Sequence, residues 1–407
     1  MHPTTQSPAS PATPTIRLRG PADVVDAVPY LVGFHPGRSL VLIGLDRDAA
    51  RVVLTARADL PLPSEGIERL LSSLVRILAR HRVARVIAVV YPGPSHGAGA
   101  VAGAVAGAGI ESGPAAARWV VPALLGSLVT HGLELVDVLW VAAGRYGSYG
   151  PSWSCEPGGS GGSCGARSHG LAGCEVAGPP SAGPPPGHLL RGDGRVAAQA
   201  VFEGVAPASG REELEALLAP VHDLQARQIV RRVAMSQGAA RQVAGVELDA
   251  GDPGTVRSTA RRLAMVRHAV DAPAGAGPLG VAQSCEVLLA LEDLHVRDRA
   301  MGLLDGPRGE RAGRLWEELT RRVAGPLVAR PACLVASWHL AHGGGALVRI
   351  ALDRAQAADP AYPLLRLFEE ALARGIGPDA WRRLVASAQK DLDRSGVPAM
   401  TGHWQSA

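Results

Sequence analysis

"RSLVLIGLDRDAARVVLTARADLP", residues 38–61, decides how the first part of this chain folds. "RSLVLIGL" is a continuous apolar run, whereas "RVVLTARADLP" alternates with the period of a half-buried strand. "DRDAA" between them is turn-forming, so the two strands pair as an antiparallel hairpin. A hairpin sets the start of its first strand beside the end of its second. If the returning strand also runs parallel to later strands, the residues just before Ser39 lie at the carboxyl edge of the sheet, where open α/β sheets hold ligands.

Upstream, "PADVVDAVPYLVG" reads as a helix. Pro21 suits a first helical position, Val24, Val28, Leu31 and Val32 share one face, Pro29 kinks or shortens it, and Gly33 closes it. Downstream, "SEGIERLLSSLVRILARH" is a helix with Ser64 as its N-cap and Glu65 and Glu68 in its first turn. Its apolar stripe is Ile67, Leu70, Leu71, Leu74, Ile77 and Leu78. "ARVIAVVY" is a buried strand, "PAAARWVVPALLGSLVTHG" a helix bent near Pro122, and "ELVDVLWVAAG" a further strand. This alternation predicts an α/β fold, a mostly parallel sheet with an antiparallel edge hairpin. Beyond residue 196 only helical periodicities occur, joined by Gly- or Pro-marked turns, so an all-α domain follows. The expected organisation is a disordered tail at 1–15, an α/β domain at 16–149, a Gly/Pro-rich linker at 150–195, a helical domain at 196–395 and a tail at 396–407.

Composition narrows the class. Apolar residues make up 47% and charged residues 19%, which suits a soluble globular chain rather than a disordered one. The 407 residues carry 41 Lys and Arg against 37 Asp and Glu, a balance with no strong electrostatic footprint. The basic residues are scattered and no aromatics interleave with them, which argues against a nucleic-acid partner. No apolar run is long enough for a membrane span, the polar start lacks a signal-peptide core, and the odd cysteine count does not suit a disulfide framework. A cytoplasmic location is the expectation.

With these segments in place, the chain resembles the actinobacterial family catalogued as domain of unknown function 4192. The resemblance rests on "LRGPADVVDAVPYLVGFHPGRSLVLIGL", "ARADLP" at 56–61, "GRYGSY" at 144–149, "LALEDLHVRD" at 289–298 and "ALDRAQAADPAYPLLRLFEEALARGIGPDAW" near the end. It implies the two-part architecture and names no reaction. The family's compact Cys-rich segment after "GRYGSY" is replaced here by Cys155, Cys164 and Cys174, spread through a Gly-rich stretch.

Candidate chemistry collects at the predicted sheet edge. "GFHPGRS" leaves a helix and opens a strand, the reverse of a phosphate-binding Gly loop, so it is not a nucleotide loop. The edge would instead gather His35, Arg38, Asp59, His96, Arg145, Ser148 and Tyr149. Such a set suits a carboxylate or phosphate, with His35 or Asp59 placed for proton transfer. The bland account is turn chemistry: Pro36 and Gly37 turn the chain, Arg38 pairs with Asp59, and Tyr149 packs. Cys155, Cys164, His169 and Cys174 carry zinc-ligand atoms, but no close Cys pair nucleates a site, so neither metal nor cofactor is expected. Glu292 and His295 form half a di-iron pattern without a second half, and His339 and His342 lack the acidic partner that a metalloprotease helix needs, so both pairs read as structural. Asp293 and Arg297 are spaced for an intrahelical pair, and Arg257, Arg261 and Arg262 for a solvated face. Two functions stay open: a non-enzymatic binding or regulatory protein whose helices dock a protein partner, and an enzyme or sensor for a small anionic ligand at the sheet edge.

Overall fold

The computed structural model describes residues 18–48, 51–62, 65–93, 117–149, 188–189, 195–202, 206–243, 253–273 and 277–399. The chain divides into two units, 1–210 and 211–407.

The first unit is a sheet between helices. Its elements are α1 (Pro21–Val32), β1 (Ser39–Leu45), β2 (Val52–Asp59), α2 (Glu68–Arg80), β3 (Arg85–Tyr91), α3 (Val120–Thr130), β4 (Glu134–Ala142), β5 (Arg145–Ser148), the two-residue β6 (His188–Leu189) and α4 (Arg195–Phe202). The strand order is β2-β1-β3-β4-β5-β6. Among the described residues, β3 and β4 pair parallel and the other four strand junctions are antiparallel. The expectation of a mostly parallel sheet is corrected to a mixed one.

Two local causes account for the difference. Every residue of β1 is buried, so β1 needs neighbours on both edges and shelter on both faces; it lies between β2 and β3 and pairs antiparallel with each. The alternating β2 carries exposed and half-buried residues and takes the edge. The second cause is the turn after β4. Ala143 and Gly144 both have positive φ, at 49° and 71°, the conformation of a two-residue hairpin turn. "RYGS" is therefore a strand running back along β4, so its Ser148 does not gather at the sheet edge as expected.

Each face of the sheet has its own core. Leu40, Leu42, Val86, Ala88, Val90 and Val138 pack under Leu71, Leu74, Val75 and Leu78 of α2 and Val120, Leu124 and Leu128 of α3. Val41, Ile43, Leu45, Val89, Tyr91 and Leu139 pack under Val24, Val25 and Val28 of α1. α1 continues through Pro29 to Val32 and ends at Gly33, whose φ is +88°. α2 begins at Glu68, later than expected; Gly66 at φ +71° prevents an earlier start, and Ser64 lies outside the described residues. Pro122 falls in the first turn of α3, where its missing amide costs no helical bond. α4 is tied to α1 by the Arg195–Asp23 ion pair at 3.1 Å.

The second unit comprises α5 (Arg211–Leu218), α6 (Leu224–Val243), α7 (Pro253–Val270), α8 (Val281–Ala290), α9 (Leu294–Met301), α10 (Gly306–Arg322), α11 (Ala329–Ala341), α12 (Gly345–Ala358), α13 (Pro363–Ala373) and α14 (Pro378–Arg394). α11 is apolar nearly all round and almost wholly buried, packing on α9, α10, α12 and α14. α8 packs on α6 and on α7. Cys285 and Cys333 are free and buried in this helical core, and burial pushes the Cys333 thiol up to about 12.

Gly44 lets α2 approach the sheet. A Cβ there would meet Val83 Cγ2 at 2.7 Å and Leu78 Cδ2 at 3.1 Å. Gly44→Ala is expected to destabilise the fold by about 1–3 kcal/mol, as overpacking in a dense core does. A urea midpoint unchanged by the substitution would contradict this close packing.

Candidate functional site

β2, β3 and β4 run in the same direction, with β1 antiparallel between the first two. Ser39 at the start of β1 is paired with both Asp59 and Tyr91, the last residues of β2 and β3. Ala142 at the end of β4 is paired with Arg145. The start of β1 and the ends of β2, β3 and β4 therefore share one border of the sheet.

His35 lies just before that border and is exposed; its amide donates to the Ala208 carbonyl at 3.0 Å. Phe34 bridges to Ala208, so this backbone clasp fixes the loop that presents His35. Arg38 does not pair with Asp59. Its Nε donates to the Leu60 carbonyl at 3.0 Å and its Nη2 to the Pro61 carbonyl at 2.8 Å, stapling the chain leaving β2 to the chain entering β1. Asp59 is bound by Arg57 instead, at 2.5 Å. Arg57 also donates to Ser39 Oγ from Nε at 3.0 Å and Nη2 at 2.7 Å, and its guanidinium lies 5.3 Å from the Phe34 ring centre. The Arg57–Ser39–Asp59 cluster is thus a tightly partnered polar corner on the α1 face.

Arg145 stands exposed at the same border, but three strand spacings from β1, about 14 Å away. Ser148 and Tyr149 leave the border, because β5 turns back along β4. Ser148 is paired with Leu139, and the Tyr149 amide donates to the Val138 carbonyl at 2.6 Å. Tyr149 packs beside the α2–α3 core, and burial raises its hydroxyl pKa against the opposing charge of Arg118. Ser148 Oγ donates to Asp137 Oδ1, which also accepts from the Val138 amide at 2.8 Å. Burial raises the Asp137 carboxyl above its ordinary value, outweighing both hydrogen bonds. His96, Cys155, Cys164, His169 and Cys174 lie outside the described residues. The border therefore brings His35, Arg38 and Asp59 near one another, holds Arg145 apart, and releases Ser148 and Tyr149.

The residues the sequence reading passed over were Arg57, Ser39, Phe34 and Asp137. The signal for the first two was present: Thr55, Arg57 and Asp59 alternate onto one face, and a hairpin register with Ser39 opposite Asp59 sets Arg57 beside them.

Elsewhere, Asp293 caps α9, accepting from the His295 and Val296 amides, and receives the Thr259 hydroxyl at 2.7 Å and Arg262 at 3.3 Å. Arg297 reaches Asp298 and Tyr362 rather than Asp293. Glu292 accepts from Gln237, and His339 meets Glu317 at 2.8 Å. Among the described residues, no three His, Cys, Asp or Glu side chains gather as a metal-holding group, and no helix is long and apolar enough to cross a membrane.

A cleft of about 280 Å³ opens between α7 and α8, lined by Arg261, Ala264, Met265, His268, Ala269, Gln283, Glu286 and Val287. A family model described as "Domain of unknown function (DUF4192)" matches residues 21–379. The chain belongs to this family. The match extends across both units, so the sheet border and the α7–α8 cleft both lie within the family's domain. No curated protein and no solved structure matches the chain.

Two expectations follow. Arg38→Ala leaves two carbonyls without their guanidinium and is expected to cost about 1.5–3 kcal/mol. Asp59→Asn, at a pair whose carboxylate is 75% exposed, is expected to cost about 1 kcal/mol or less. Denaturant melts of the two variants that came out in the opposite order would return Arg38 to the ligand set. The second expectation concerns Asp137. The folded chain holds this proton to higher pH than the unfolded chain does, so the stability it contributes is present in acid and is lost as pH rises through the folded value. Asp137→Asn should remove that component of the pH–stability slope, and an unaltered slope would show that the carboxyl titrates normally.

Proposed function

We propose that this chain is a non-enzymatic binding or regulatory protein whose working surface lies on the helical unit. The observation that carries this reading is the α7–α8 cleft, whose floor is set by Ala264, Met265, Ala269 and Val287 and whose rim is set by Arg261, His268, Gln283 and Glu286. An apolar floor inside a polar rim is the anatomy of a docking surface. At the sheet border, by contrast, Arg38 is spent on backbone carbonyls, and Arg57, Ser39 and Asp59 satisfy one another. The buried, free Cys285 and Cys333 accord with a cytoplasmic setting.

A second reading, an enzyme or sensor for a small anionic ligand, draws on His35, Asp59 and Arg145 standing exposed along one border. A photo-crosslinking residue at position 265 or at position 145, introduced in cells that make the protein, separates the two. The docking reading expects a discrete protein adduct at 265, identified by mass spectrometry and abolished by Ala264→Trp, which fills the cleft. An adduct at 145 with none at 265 would move the working surface to the sheet.

A further inference from the structure

We infer that the partner segment is an acidic amphipathic helix, seated with an apolar side chain in the α7–α8 cleft and its carboxylates against the arginines of α6 and α7. This deepens the docking reading and rests on it. α6, "LQARQIVRRVAMSQGAARQV", and α7, "PGTVRSTARRLAMVRHAV", each contain four Arg and no Asp or Glu. Removing those eight cations leaves 33 basic against 37 acidic residues in the whole chain, so the cationic excess is concentrated on these two helices.

α8 lies against both of them, and Cys285 Sγ of α8 donates to the Ile229 carbonyl of α6 at 3.6 Å. Burial raises the Cys285 thiol while Arg232 pulls it the other way, so the charge of Arg232 reaches α8 from the α6 side. Arg261 and His268 line the cleft from the α7 side. Some of these cations are already engaged: Arg262 meets Asp293, and Arg227 donates to the Asp223 carbonyl. Arg231, Arg232, Arg257 and Arg261 are exposed and form no salt bridge among the described residues.

The shape selects among anions. The cleft, at about 280 Å³, lies just below the usual range of small-molecule pockets, about 300–1,000 Å³, and suits one or two side chains. Its lining has no Phe, Tyr or Trp on which a base could stack; its one ring is the imidazole of His268. Arg257 and Arg261 stand one helical turn apart, about 6 Å along the axis, the pitch at which carboxylates four residues apart project from a facing helix. An apolar knob flanked by such carboxylates satisfies floor and rim together.

The test uses the full chain and a fluorescein-labelled synthetic helix of about 18 residues, with Leu on one face and Glu on its flanks. Fluorescence anisotropy should show saturable binding that weakens with salt and falls about tenfold or more in Arg257→Glu/Arg261→Glu, because reversal replaces attraction by repulsion. Circular dichroism checks that the variant is folded, and Arg257→Gln/Arg261→Gln gives an intermediate loss if charge is the cause. A Lys-for-Glu peptide and a Ser-for-Leu peptide should fail to bind. Equal binding by the wild type and both double variants overturns the inference, as does a DNA duplex that outcompetes the peptide and is lost with the same substitutions. A partner crosslinked at position 265 through a segment without acidic residues would overturn this inference and leave the docking reading intact.

Discussion

The first unit depends on one constraint: β1 has no exposed residue. A strand of seven residues buried on both faces must find backbone partners on both edges, because unpaired amides and carbonyls in a core are costly. The hairpin supplies one edge through β2 and the chain returning from α2 supplies the other through β3. Helices must then cover both faces, α1 on one and α2 with α3 on the other. The sheet's mixed character follows from this placement, since an antiparallel β1 separates two strands that share a direction.

The same placement explains the polar corner. Ser39 is wholly buried at the head of β1, between Asp59 and Tyr91. Its hydroxyl is satisfied by Arg57, which also holds Asp59 and lies against Phe34. A guanidinium has enough donors to serve two acceptors while its plane rests on a ring. Arg38, one residue earlier and on the opposite face, binds carbonyls of the segment leaving β2. The two arginines close the same border from its two sides, and a border closed in this way has little donor capacity left for a ligand.

Much of the fold was legible in the residues. The unbroken run "SLVLIGL" against the alternation of "VVLTARAD" distinguishes an interior strand from an edge strand, but such a pattern leaves the order of the strands open. Order depends on which edge the chain from α2 reaches, a tertiary choice with no local code. The β4–β5 hairpin was harder to read. "AAGRYGS" lacks the Asn-Gly or Asp-Gly signal, and Ala143 enters the left-handed region at a cost few sequences advertise. Missing that turn moved Ser148 and Tyr149 to the wrong end of the sheet. Asp293 shows the reverse case: its spacing to Arg297 suggested a pair, but a carboxylate directly before a helix caps the amides that helix leaves open.

Charge shows why composition and structure can disagree about partners. A net balance near neutrality describes the chain as a whole, and a partner meets only a patch. In the sequence Arg257, Arg261 and Arg262 read as a solvated face, whereas Arg262 of α7 and Arg227 of α6 are engaged internally. The two helices lack acidic residues of their own, so no carboxylate one turn away on the same helix can neutralise their guanidiniums, as Glu215 does for Arg211 and Glu318 for Arg322. Neutralisation must then come from another element, and for Arg231, Arg232, Arg257 and Arg261 none of the described residues provides it. Four like charges along helices that share α8 repel one another, a cost that an arriving set of carboxylates relieves as it binds. The apolar cleft beside Arg261 gives that arrival a register, which charge alone does not.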